Sequence, residues 1–522
     1  MKKFLKVSIL GICLLFLLFG LTCPVLAKEA LLNIAVAHPW PTLDPMAWST
    51  AATGLNQVYE NLFRFKPGTL EIEPWLAESY EISADKRTYT FRLRKGVKFH
   101  DGTPFNAKAV AFSFDRAVAL KQTGSMWLEP VEKVEVVDDY TVKFILKSPL
   151  AIFLFHLAHP SVLRMVSPTG VKTHEKDGDW AKAWLDLNDA GSGPYMIRKA
   201  VKNDYIHLER FKDYWKGWGK KYLDAVLFRE VRESSSRKML LLNKQVHFAQ
   251  DLSFEDLGEL KKLPYINLEL RSLPATVVLV LRFTGGADNP IRNSKIREAI
   301  AYAIDYEAMI GAATKGFAHQ AQGPVPRLHF GHNDKLKVYK RDVNKAKELL
   351  KEAGYKPGEV KLIIMYNVGY DWKRLSSETL MSNLGDIGIG LDLYTTTWTG
   401  MAASLRNGTA PPPPHMYIHF SSGTVDALTL LRRMYASSSI GTWNPGYSNP
   451  ELDRVLDEAQ MAPNLAKYKE AIIKAQEIWE KDVFTIPLWD FVNPYTMLKS
   501  VKGFIPSFDK EDYNLYDMYL ED

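Results

Sequence analysis

Sixty carboxylates, 12 histidines and 13 tryptophans are the residues of this 522-residue chain that could do chemistry, and their spacing decides against most of it. A serine hydrolase would need Gly-x-Ser-x-Gly on a strand-to-helix turn. A zinc peptidase would need His-Glu-x-x-His on one helical face, and a nucleotide enzyme a glycine-rich phosphate loop. None of these occurs. With 60 carboxylates an ordinary acidic pair carries no weight, because paired acid/base work depends on a separation in space. His415 and His419 bracket Met416-Tyr417-Ile418; on a strand i and i+4 share a face, which would suit a metal or a metal chelate. Nothing nearby completes a ligand set, so the pair reads as polar residues at a strand flank. No catalytic residue, resident metal or cofactor is expected. Aromatic residues make up 12% of the chain, and most of them must be core, given the area each buries.

A mixed set of elements must position these residues. Tyr89, Phe91 and Leu93 alternate with Thr90, Arg92 and Arg94, the period of a half-buried strand. The polar turn His100-Asp101-Gly102-Thr103-Pro104 leads into an amphipathic stretch beginning near Asn106. Residues 295–310 place Ile296, Ala299, Ile300, Ala303 and Ile304 on one face and predict a single buried helix. Further helices are read over 342–354, ended by Gly354, over 450–460 behind Asn449, and over 465–481. Strands are read over 360–366 and 391–396, and the proline run 411–414 must be a short extended loop. The chain is α/β, and too long for one hydrophobic core; two or three domains are expected.

Residues 1–27 have the anatomy of a secretory leader. Lys2, Lys3 and Lys6 precede an apolar run over 7–21, and Val25-Leu26-Ala27 offers a cleavage point before Lys28. The run is short for a membrane span, which needs roughly 20 residues. Both cysteines, Cys13 and Cys23, fall in this leader, so the mature chain has no thiol for a disulfide, a metal or a nucleophile. Lipid attachment at Cys23 is disfavoured by Gly20 three residues before it and by Pro24 after it. Of the 66 basic residues three are leader lysines; the remaining 63 against 60 acidic residues give +3, which argues against a nucleic-acid partner.

The stretch 59–116 is the most distinctive text in the chain. Its Glu-Asn-Leu after Tyr59, Pro74-Trp75-Leu76-Ala77, Tyr89-Thr90-Phe91, Leu93-Arg94 and Gly96-Val97-Lys98-Phe99 closely resemble the signature of the family 5 extracellular solute-binding proteins. Other family-like segments follow in order: Leu43-Asp44-Pro45 before it, then Gly191-Ser192-Gly193-Pro194-Tyr195, Phe211-Lys212-Asp213-Tyr214-Trp215 and Tyr447-Ser448-Asn449. The resemblance implies a two-lobed periplasmic-binding-protein (flytrap) fold with an extra inserted subdomain in lobe I. Lobe I would comprise 28–71, 190–288 and 497–522, the inserted subdomain 72–189, and lobe II 289–496.

It also implies a site between the lobes. Trp398, at the end of a strand, matches a cleft tryptophan of the peptide binders. Phe420 stands where many relatives have a tryptophan, and Trp489 matches a late cleft aromatic. Trp127 and the loop 40–44, with Trp40 and Asp44, would close the pocket from the other lobe. Peptide binders of the family carry an aspartate three residues after the second tryptophan, paired with the ligand's ammonium. Here that position is Gly423, and the nearest carboxylate is Asp426. A buried ammonium without a partner is costly, so Asp426 would have to serve through a shifted loop. The function implied is that of the substrate-binding subunit of an ABC importer, periplasmic or extracellular, working as a monomer with membrane permease subunits. A peptide is the leading solute, with an oligosaccharide or nickel chelate as alternatives. A secreted enzyme or a chaperone-like interaction protein would instead show turnover, or docking without a small ligand.

Overall fold

The computed structural model describes residues 29–37, 42–46, 54–284, 286, 288–368, 370–397, 400–401, 404, 414–421, 426–441, 444–506 and 513–521. The alternation at 89–93 resolves as the strand Thr88–Leu93, with Tyr89, Phe91 and Leu93 buried. Asn106 caps the helix Ala107–Leu120, accepting from the Ala109 amide at 3.1 Å. The helix Val343–Glu352 starts behind Asp342 and stops before Gly354, whose φ of 87° suits a residue without Cβ. Pro450–Gln460 and Leu465–Asp482 stand behind the side-chain caps of Asn449 and Asn464.

The single helix read over 295–310 is two helices, Ser294–Ala303 and Tyr306–Thr314. Ile304 is extended, and Asp305 caps the second helix, accepting from Ala308 at 2.9 Å while its own amide donates to Asn383. Both helices bury their apolar sides in the same core, so the spacing runs unbroken across the junction and hides it.

Eleven strands form one sheet. Its spatial order is Gly390–Thr396, Lys361–Asn367, Met416–Ser421, Ile266–Leu281, Thr485–Leu498, Phe248–Ala249, Leu31–Val36, Ala225–Glu230, Tyr205–Arg210 and Tyr195–Val201, with His319–Gln320 added on Thr485–Leu498. The two long central strands are antiparallel and serve both halves. Ile266 to Ser272 pair with Leu498 to Val492 on the side of Phe248–Ala249, and Thr276 to Val280 pair with Asp490 to Thr485 beside Met416–Ser421. Between these stretches the register shifts, and Leu273, Pro274 and Ala275 stand opposite Phe491 alone. Pro274 has no N–H to give a ladder, in keeping with the break in pairing there.

Beyond the break the sheet is covered on both faces. Met416 and Ile418 share a core with Leu279 and the helices Ser294–Ala303, Tyr306–Thr314, Val343–Glu352 and Asp371–Gly385. Tyr417 points the other way, with Val278 and Val280, onto Ala427–Tyr435, Pro450–Gln460 and Leu465–Asp482. A separate antiparallel sheet, Ala77–Ile82, Thr88–Leu93, Thr141–Leu146 and Val131–Asp138 in that order, carries Ala107–Leu120.

Four of the family-like sequence segments meet at one carboxylate. Glu60 is buried, and its Oε1 accepts from Trp75 Nε1 (2.7 Å), the Tyr214 hydroxyl (2.9 Å) and Trp215 Nε1 (3.0 Å), while Oε2 accepts from Ser192 Oγ at 2.8 Å. Burial raises its pKa, an effect the four donors only partly offset. Gly191 and Gly193 flank Ser192 because a Cβ there would lie 2.0 Å from the Val58 carbonyl oxygen and 2.4 Å from that of Gln57.

Candidate functional site

A cleft of about 710 Å³ opens beside the break in the central strands. One wall comes from the first half of the chain, with Arg232, Ser234, Arg237, Asp251 and Asp256. The opposite wall is Lys315, Tyr370, Trp372 and Arg374, and Phe491, Asn493 and Pro494 of the central strand form the floor. Tyr370 and Trp372 are there because Lys361–Asn367 and Gly390–Thr396 run parallel and the helix Asp371–Gly385 connects them. The start of that helix falls outside the carboxyl end of a strand, where open α/β sheets place their ligands.

An aromatic cluster backs the cleft. Trp372 stands edge-on to Trp489 at 5.3 Å, Trp489 stacks with Phe491 at 5.8 Å, and Phe420 meets Phe491 at 4.4 Å. Lys373 Nζ lies 5.3 Å from the Tyr370 ring and 5.2 Å from that of Trp372, and donates to Asn367 Oδ1 at 2.5 Å. Burial lowers its pKa to about 8, so it remains largely a cation at neutral pH. Asp490, beside Trp489, is raised by burial although Arg327 Nε stands 3.3 Å away. Arg433 is pulled down to about 10 by burial. His419 is pushed well below its usual range by burial, with the charges of Arg433 and Lys373 adding to the effect, and is neutral. Apolar walls with charges of both signs suit a small zwitterion.

The structure unites two of the expected site residues, Phe420 and Trp489, which flank Val277 on the same face of the sheet. Trp40, Trp398 and Gly423 lie outside the described residues, as do prolines 411–413. Asp44 departs from expectation. It is wholly buried, with its oxygens on Arg116 Nη1 and Nη2 at 2.9 and 2.7 Å and the Met46 amide at 2.9 Å. A buried carboxylate needs such a partner, and this one ties the loop after the first strand to the helix Ala107–Leu120. Trp127 and Asp426 sit apart from the aromatic cluster, in the core on the other face. The Trp127 ring is 4.9 Å from His159, whose pKa burial lowers to about 3. Asp426 caps Ala427–Tyr435, accepting from Thr429 at 2.7 Å, and lies 3.7 Å from His156 Nε2. Burial would raise Asp426, but His156 and Thr429 outweigh it and hold the carboxyl low. His415 precedes its strand and accepts from the Ile363 amide at 3.1 Å. Among the described residues no group of three His, Cys, Asp or Glu side chains could hold a metal ion.

Tyr370, Trp372, Lys373, Arg374, Phe491 and Asn493 were not anticipated from the sequence. The run Tyr370-Asp371-Trp372-Lys373-Arg374 did carry a signal: aromatics interleaved with both charges directly after a strand. Asn493 carried none, since nothing in its neighbours marks a position on the cleft floor.

Against known proteins, the pattern of the bacterial extracellular solute-binding proteins, family 5 (middle region), matches residues 71–450. A glutathione-binding protein of Pectobacterium atrosepticum is 32% identical over 471 residues, covering 87% of each chain. A periplasmic binding protein associated with an ABC transporter from Helicobacter pylori, solved with the peptide STSA, is 27% identical with a TM-score of 0.80, covering 95% of this chain and 98% of its own. An ABC transporter substrate-binding protein from Listeria monocytogenes superposes with a TM-score of 0.84 over 95% of this chain and all of its own; at 24% identity that likeness speaks for the fold.

Proposed function

The chain belongs to the bacterial extracellular solute-binding proteins of family 5, the substrate-binding subunits of ABC importers, and on that premise we propose that its solute is a small peptide held in the interlobe cleft. The observation that carries this reading is the cleft itself, with aromatic walls at Tyr370, Trp372 and Phe491 and both charge signs around it. A peptide offers apolar side chains to the rings and opposite charges at its two ends. The 32% identical relative binds glutathione, which makes that tripeptide the first candidate. Beyond residue 27 the chain has no cysteine, so a thiol peptide would be held reversibly, with no mixed disulfide to form.

The lobes that close on the peptide are 28–71 with 190–288 and 497–522, and 289–496, with 72–189 inserted in the first. Capture is a population shift: the ligand favours the closed form because only that form touches it from both sides. The closed monomer then docks on its permease. The leader 1–27 directs export, by cleavage before Lys28 rather than by lipid attachment at Cys23. A thermal-shift screen with glutathione, di- to tetrapeptides, oligosaccharides and nickel–histidine tests the solute class. A peptide at 100 times its Kd should stabilise the protein by about 2.7 kcal/mol. Stabilisation by a sugar or chelate alone would reject the reading.

A further inference from the structure

A peptide brings an ammonium group into the cleft, and an ammonium taken out of water needs a carboxylate. The stretches 38–41, 398–413 and 422–425, around the expected cleft residues Trp40, Trp398 and Gly423, contain none. Asp426 is buried elsewhere, against His156 and the Thr429 amide. The anchor is therefore sought among the acidic side chains that line the cleft, and most of these are already matched. Glu255 takes Lys315 at 2.6 Å, Asp256 takes Lys238 at 2.5 Å, and Asp371 stands 3.7 Å from Arg374. Asp251 comes first among the charges that act on the buried Arg237 guanidinium. Glu233 remains. It is exposed on the cleft wall, and among the described residues its side chain has neither an ion pair nor a hydrogen bond.

The backbone fixes where that carboxylate stands. Glu233 immediately precedes the helix Ser234–Leu242 in extended conformation, and its carbonyl accepts from the Arg237 amide at 3.1 Å, while its side chain makes no cap. The two cations of the same wall are engaged elsewhere. Arg232 Nε donates to Glu230 at 2.7 Å. Arg237 spends its guanidinium on the carbonyls of Val231, Arg232, Gln250 and Asp251, at 2.6 to 2.7 Å. A carboxylate set at a helix start, yet used for neither capping nor pairing, reaches a ligand with little reorganisation.

We propose that Glu233 takes the ammonium end of the peptide solute, so that the amino terminus lies on the wall built by the first half of the chain, opposite Tyr370 and Trp372. The ammonium donates to the Glu233 carboxylate, a charge-assisted hydrogen bond that gains strength as the cleft excludes water. A peptide with a blocked amine offers only a neutral N–H at that place. Glu233 thus selects solutes with a free amino end. The assignment rests on the peptide reading above.

Calorimetric titration of the wild type and of Glu233→Gln with glutathione and with the tetrapeptide Ser-Thr-Ser-Ala, each with its amine free and acetylated, tests it. Glutamine keeps the shape of the side chain and removes its charge. The variant should keep the wild-type Tm, since an exposed and unpaired side chain supports nothing else. It should bind the free-amine form at least about tenfold more weakly, the loss of a hydrogen bond between charged groups. Acetylation should cost the wild type a similar factor and the variant much less. The C-terminal amide of the tetrapeptide, whose amine is free, should lose the same factor in the variant as its parent. A variant that binds the free amine as tightly as the wild type overturns the assignment and leaves the peptide reading standing. Equal losses for the free and acetylated forms also overturn it, because such a loss does not depend on the amine. A wild type that binds neither free peptide fails the peptide reading first and removes the Glu233 assignment with it.

Discussion

Glu60 shows what a single residue decides here. Its carboxylate gathers donors from Trp75, Ser192, Tyr214 and Trp215, segments up to 155 positions apart, and so pins the smaller antiparallel sheet to the main one. Glu60→Leu should leave those donors buried and unmet, costing about 3 kcal/mol or more and lowering Tm by several degrees in calorimetry; an unchanged Tm would mean the cluster is dispensable. His100 makes a second bridge between the same regions. Its Nδ1 is 2.5 Å from Asp189 and its Nε2 is 2.9 Å from the Gly193 carbonyl, so both nitrogens are donors and the ring is charged. Burial opposes that charge, but Asp189 outweighs it, and the pKa rises above its ordinary value. A raised folded-state pKa means stability that is complete below about pH 6.5 and is lost as pH climbs through the folded value. The Tm difference between wild type and His100→Gln should therefore shrink on going from about pH 6 to pH 9; a difference that grows would reverse the sign. The Glu-Asn-Leu, Pro-Trp-Leu-Ala and Gly-Ser-Gly-Pro strings were visible as text, yet nothing in one sequence shows that they converge. The visible pattern falls on the fold's internal joints, which is why it speaks for the architecture more directly than for the ligand.

At the scale of elements, the segments with strong local signals were legible. Asn449, Asn464 and Asp342 each cap the helix read behind them, because a side-chain oxygen satisfying an orphan amide is a local interaction. The junction at Ile304 and Asp305 was not legible, since it depends on Asn383, 78 residues away, taking the Asp305 amide. Neither was the break at Leu273-Pro274-Ala275, which exists only relative to the partner strand. That break makes a prediction at its own scale. Amides of Leu273 and Ala275 should exchange hydrogen faster than those of Val277 to Leu281, and a saturating peptide should slow them. Uniform protection along Ile266–Leu281 would mean that the break is rigid and that the lobes turn elsewhere.

For the molecule as a whole, contacts between the two halves meet on either side of the cleft. Lys315 Nζ is 2.6 Å from Glu255, Phe254 lies 6.3 Å from Phe317, and His156 Nε2 is 3.7 Å from Asp426. The Lys315–Glu255 pair is solvent-exposed and contributes little; the aromatic pair contributes about 0.5–1.5 kcal/mol. Phe317 does not itself line the cleft but packs on Phe254, which does, so Phe317→Ala should weaken peptide binding roughly two- to tenfold by favouring the open form. Small-angle scattering should show a larger ligand-free radius for that variant, and an unchanged radius would count against closure through this contact. The most direct test of peptide capture is native mass spectrometry of the gently purified protein, followed by denaturation to release whatever it carried from the cell. The account predicts a peptide mass, glutathione first among the candidates, at one per chain. An oligosaccharide or a metal chelate released at that stoichiometry would contradict it.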